Sequence, residues 1–177
     1  MTDMLTWRAR MENALEELRG IDLGYPQDEN VLGAAGNPAA LAEFVSGAGL
    51  NPRSPLAAFY DACSGVSLPD VHVGYFIHEP GLVLRGLEGG EPRRLTGPYA
   101  REILVFGTDG GGGRFALGAD GDGEVLYLGD GAVHDAVFDG VYGQVRTLAP
   151  DLRAFLNRLL ADVEAFVRGE EGWEYLV

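Results

Sequence analysis

The stretch from Ile103 to Gly129, ILVFGTDGGGGRFALGADGDGEVLYLG, constrains the fold more than any other part of the chain. Three short apolar runs are separated by turns of little but aspartate and glycine. Glycine reaches positive φ without steric cost and aspartate hydrogen-bonds its own backbone, so such turns let strands reverse tightly. The segment reads as a β-meander. It holds no nucleophile, metal cluster or phosphate cradle, and so points to a fold before it points to a reaction.

Helical periodicity flanks the meander on both sides. A first helix is expected from Asp3 to Leu18, with Leu5, Met11, Leu15 and Leu18 along one stripe, Trp7 beside it and Gly20 as its stop. The polar, glycine-dotted IDLGYPQDENVLGAAG that follows has room for one short extended piece. Asn37–Pro38 and Ser54–Pro55 each pair a capping side chain with a first-turn proline. They open helices that turn Leu41, Phe44 and Val45, and then Leu56 and Phe59, inward, with Tyr60 at the edge. In VHVGYFIH the period becomes two, placing Val71, Val73, Tyr75 and Ile77 on one face and His72, Gly74, Phe76 and His78 on the other. Further strands are expected around Gly81 to Leu87, Arg93 to Thr96, Ile103 to Phe106, Arg114 to Leu117, Glu124 to Leu128 and Ala132 to Phe138. Between Pro150 and Arg168 a wide apolar stripe of Leu152, Phe155, Leu156, Leu159, Val163, Phe166 and Val167 marks a closing helix that Gly169 stops. The tail GWEYLV is too apolar for a loose end and is expected to pack back. Helices, then consecutive strands, then a helix make an α+β fold with a largely antiparallel twisted sheet. The 177 residues suit a single domain: a helical part to about residue 65, a sheet over about 66–145 and a helix with tail over about 150–177.

Composition narrows the function classes. No apolar run approaches the roughly 20 residues of a membrane helix. MTDMLTWRARMENALEELRG carries charge throughout and lacks the layout of a signal peptide, so a cytoplasmic protein is expected. The formal net charge is −14, and every base is an arginine. Phosphate neutralisation needs basic surface, so direct nucleic-acid binding and attraction to anionic lipid are both disfavoured. An acidic domain attracts basic proteins, although charge also serves solubility alone. The lone Cys63 cannot form an internal disulfide and reads as a small buried hydrophobe.

Three phrases carry a resemblance: LNPRSPLAAFYDACSG running into VSLPDVHVGYFIHE, then EILVFGTDGGGGRFALGADGDGEVLYLGDG, then DLRAFLNRLLADVEAFVRGEEGWEYLV. Their order, over roughly residues 50 to 177, resembles the SUKH superfamily, which includes bacterial immunity proteins and Smi/Knr-type regulators of cell wall assembly. The resemblance implies a single α+β domain that binds proteins and does no covalent chemistry. For the bacterial branch it implies an immunity protein that neutralises a basic toxin, often a nuclease, by direct contact. For the regulatory branch it implies a scaffold that binds several cellular proteins.

Between Arg114 and Arg146 lie Asp120, Asp122, Glu124, Asp130, Asp135 and Asp139 with no base among them. Placed on turns, these carboxylates form an acidic rim for a basic partner; the alternative is that aspartate and glycine simply make good turns. Phe76 is a candidate apolar anchor on the sheet, or packs under a helix. Other chemistries fit poorly. ADGDGEV lacks the twelve-residue calcium loop and its distal glutamate. Gly110 to Gly113 is followed by no lysine and preceded by Asp109, which repels an anion, so a hairpin turn is the better account than a phosphate loop. His72 and His78 stand about 20 Å apart on an extended strand, too far to share one ion. No nucleophile elbow occurs, and no cofactor, metal or catalytic residue is expected.

Overall fold

The computed structural model describes residues 3–177. The first two residues of the expected N-terminal helical part therefore lie outside the description. Side-chain caps set four of the five helix starts among the described residues. Asp3 accepts from the Thr6 N–H at 2.8 Å and opens α1 (Met4–Arg19). Asn37 accepts from the Ala39 N–H and opens α2 (Pro38–Gly47), and Ser54 accepts from the Ala57 N–H and opens α3 (Pro55–Ala62). α4 (Pro80–Glu88) starts on Glu79 with proline in its first turn but no side-chain cap. Asp151 accepts from the Ala154 N–H and opens α5 (Leu152–Arg168), which Gly169 ends in the left-handed conformation.

The α1 stripe is Trp7, Met11, Ala14, Leu15 and Leu18. Leu5 does not join it: two residues before Trp7 it sits about 200° round the helix, and it is 74 % exposed. Tyr60 is buried, not at an edge, and its hydroxyl donates to the His78 carbonyl at 2.7 Å. α4 replaces the strand expected over Gly81 to Leu87. Val83 is buried with Leu84 and Leu87 packed beside it, a spacing of three and four that a helix, not a strand, puts on one face.

The strands are β1 (Val31–Leu32), β2 (Val66–Leu68), β3 (Tyr75–Ile77), β4 (Arg94–Leu95), β5 (Arg101–Asp109), β6 (Arg114–Gly118), β7 (Val125–Leu128), β8 (Val133–His134), β9 (Val137–Phe138) and β10 (Val145–Ala149). The run β1-β2-β3-β5-β6-β7-β10 is antiparallel throughout. β3 pairs with the end of β5 and β4 with its beginning, along the same edge. From β4 the sheet continues to β9, the one parallel pairing among the described residues, and then to β8. The fold is α+β with a largely antiparallel sheet, as the order of elements predicts.

The period-two reading of VHVGYFIH holds only for Tyr75 to Ile77. The chain before β3 turns through His72 at φ 54° and Gly74 at φ 87°, which leaves Val73 43 % exposed. The stretch expected as one strand from Ala132 to Phe138 is a tight hairpin, β8 and β9, whose connecting Asp135 and Ala136 both have positive φ (50° and 59°).

Helices cover one face of the sheet. Leu104, Phe106, Phe115, Leu117 and Val125 meet Phe155, Leu156, Leu159 and Val163 of α5, together with Trp7 and Met11 of α1 and Phe59 of α3. Phe106 stands edge-on to Phe155 with centroids 5.6 Å apart. The opposite face carries a second cluster in which Ile103, Val105, Ala116, Leu126 and Leu128 are capped by Leu95 and Phe138. β5 feeds both clusters because successive side chains alternate across the sheet, Leu104 and Phe106 to the helix side and Ile103 and Val105 to the other; its register then shifts between Val105 and Gly107, a bulge.

The tail packs back as its apolar residues require. Asp162 of α5, wholly buried, accepts from the Tyr75 hydroxyl at 3.0 Å, the Trp173 indole N–H at 2.9 Å and the Leu176 N–H at 2.9 Å. Arg146 donates to the Leu176 carbonyl, and His72 donates to that of Val177 while stacking on Tyr175.

Candidate binding surface

The six carboxylates of the acidic rim do not form one patch. Asp120 and Asp122 sit on the β6–β7 turn, exposed. Each also shapes that turn: Asp120 accepts from the Asp122 N–H at 3.3 Å and Asp122 from the Gly123 N–H at 2.7 Å. Asp130, also exposed, follows β7, so the length of that strand, about 13 Å, parts it from the other two. No ion pair among the described residues engages these three.

Two of the other three are committed within the molecule. Glu124 is half-buried and meets a base that the reading of residues 114–146 leaves out, Arg101 at the start of β5. The Thr147 hydroxyl donates to it at 2.7 Å, and these two contacts, Thr147 first and Arg101 second, hold its carboxyl below the usual range. Asp139 accepts from the Val141 N–H at 2.9 Å and from the Thr96 hydroxyl at 3.4 Å, which fixes the bend after β9. The third, Asp135, is exposed on the β8–β9 turn and lies with Arg93, Arg94 and Glu102 around a polar cleft of about 370 Å³. Of the acidic rim, Asp120, Asp122, Asp130 and Asp135 are exposed.

Phe76 points away from the helix-covered core that holds Tyr75 and Ile77 and is half-buried, with its ring edge over Gly74. A more prominent apolar feature is the loop between β9 and β10, where Val141 is 62 % and Tyr142 90 % exposed. The flanking glycines in DGVYGQ mark the loop but not its exposure.

A second feature has no counterpart in the sequence reading. Pro38, Leu41, Ala42, Val45 and Ser46 of α2 face Gly49, Leu50, Pro52 and Asp61 across an open groove of about 620 Å³. Its end abuts the acidic turn. Leu50 packs against Gly121, and the Gly121 carbonyl accepts from the Leu56 N–H at 3.4 Å.

The histidines lie apart. His72 holds the tail, and His78, beyond the end of β3, meets the Thr108 hydroxyl at 3.2 Å. Among the described residues no three histidine, cysteine or carboxylate side chains gather as metal ligands, and no helix is long and apolar enough to cross a membrane. Cys63 is buried with its thiol pushed up by that burial, and its Sγ–H donates to the Gly65 carbonyl at 3.0 Å. Burial holds the His78 imidazole below its ordinary value. An NMR pH titration is expected to place His78 below about 6.5. The folded state prefers the neutral ring, so its contribution to stability is present above that pH and is lost as pH falls through the folded value. A midpoint above 6.5 would contradict the burial seen here.

Comparison with protein-family models and with characterised proteins finds no match. The described surface presents exposed carboxylates on braced turns, the open apolar groove beside α2 and the protruding Tyr142.

Proposed function

We propose that this chain is a non-enzymatic protein-binding domain of the immunity type, which neutralises a cognate basic toxin, with nucleases the favoured class, by direct contact in the cytoplasm. The observation that carries the reading is where the charge goes. Arg8, Arg10, Arg19, Arg85, Arg101, Arg114, Arg158 and Arg168 each lie within 4.0 Å of a carboxylate of the same chain. Such pairs add little stability at a surface, but they cancel positive field locally and leave the excess at side chains such as Asp120, Asp122 and Asp130. A nuclease offers a basic cleft built for phosphate, which an acidic surface can mask. The resemblance of residues 50 to 177 to the SUKH superfamily supports the same class of function.

The test starts with the tagged protein as bait in its native cell at low and moderate salt. One stoichiometric basic partner with a toxin domain is expected; several substoichiometric wall-synthesis or signalling partners would replace the reading with a regulatory scaffold. With that partner in hand, D120N/D122N/D130N is expected to slow association roughly tenfold at low salt and to flatten its salt dependence, because rim charges act on encounter. Unchanged association would remove these carboxylates from the interface.

A further inference from the structure

α2 is out of keeping with its place on the surface. Its sequence is PAALAEFVSG, polar only at Glu43 and Ser46, and a helix apolar on nearly every side belongs in an interior. Yet only Phe44 is buried. Leu41 and Val45 are half-covered, and Pro38 and Ala42 are exposed. This open flank forms one wall of the 620 Å³ groove, and Gly49, Leu50 and Pro52 complete its apolar lining.

The charge in its lining is acidic: Asp61 on α3 is the only charged side chain there. At the Leu50 end stands the turn that presents Asp120 and Asp122. Arg53, exposed next to Pro52, is the nearest base along the chain and does not line the groove. An apolar floor edged by carboxylates complements an element that is apolar on one side and basic on its flanks. The ten residues of α2 span about 15 Å, which matches two to three turns of a docked helix with anchors at i, i+3 or i+4, and i+7.

We infer that the α2–α3 groove receives a basic amphipathic helix of the partner protein, an inference that rests on the protein-binding reading above. The probe is a synthetic amphipathic peptide of about 18 residues, long enough to be partly helical in water. It carries a leucine stripe flanked by arginines, and a twin carries glutamates in their place. With the full chain at low salt, the basic peptide is expected to shift amide resonances in residues 38–61 and 120–122. Ala42→Lys, on an exposed helical position that tolerates lysine, blocks the groove and opposes the charge. It is expected to weaken binding roughly tenfold or more, and D61N/D120N to weaken it several-fold. Equal binding of the acidic twin, shifts that map elsewhere, or indifference to A42K would overturn the inference. So would a concentration-dependent dimer abolished by A42K, which would assign the groove to a second copy of this chain. If the captured toxin binds the A42K protein as tightly as the original, the groove assignment alone fails. If D120N/D122N/D130N leaves toxin association untouched while the peptide still seats, the acidic-turn reading fails and the groove stands.

Discussion

Asp162→Ala is expected to cost roughly 3–5 kcal/mol of stability, measured by urea unfolding, and to release the tail, seen as a red shift of Trp173 emission. The carboxylate is wholly buried and accepts from three donors belonging to β3 and the tail. The Arg158 guanidinium approaches it at 3.4 Å and lies over the Trp173 ring, 5.0 Å from its centroid. Truncation leaves the Tyr75 hydroxyl and the Leu176 N–H facing an apolar interior, and a buried donor without a partner costs about 1–3 kcal/mol. The D162N substitution keeps one acceptor oxygen at this position and is expected to cost about half as much. A loss under 1 kcal/mol for D162A would mean that the tail is held by its apolar residues alone.

Gly110→Ala is expected to cost about 3 kcal/mol or more, while Gly112→Ala, two residues on in the same turn, costs only about 1–2 kcal/mol. At Gly110 a Cβ would fall on the Val73 carbonyl oxygen, and the Gly110 N–H donates to the Gly74 carbonyl at 3.1 Å. A side chain there pushes the β5–β6 turn off the segment that leads into β3. At Gly112 the space is open and the cost comes only from its φ of 91°. Paired urea midpoints decide between these causes, and equal losses would show that close approach is not why glycine is needed at 110.

The same contrast explains what is legible in the sequence. A glycine or aspartate turn is visible as composition, and so is a capping residue before proline: Asn37 and Ser54 cap as their types suggest, and Asp151, which follows its proline, does the same. α4 is obscured because Pro80 and Gly81 hide its start and Val83, Leu84 and Leu87 suit either period. Glu79–Pro80 is its readable signal. β2 and β10 escape notice because three and five residues, one face of each half-polar, give too little alternation to stand out. The candidate site divides along the same line. Exposure of Asp120, Asp122 and Asp130 follows from turn position. The pairing of Glu124 with Arg101 and Thr147 depends on the order β5-β6-β7-β10 in the sheet, each partner 23 positions away in the chain. The groove depends on how α2 and α3 diverge, which no local pattern encodes.

The two-faced burial of β5 has a consequence for cooperativity. Leu104 and Phe106 belong to the helix-covered cluster, and Ile103 and Val105, on the same strand, to the cluster beneath β4, β8 and β9. Neither cluster can melt while that strand stays in place for the other. The small cap over the second face is therefore no independent foldon. Damage to either layer is shared by both, and the surface that displays the acidic turns stays coupled to the interior on which it rests.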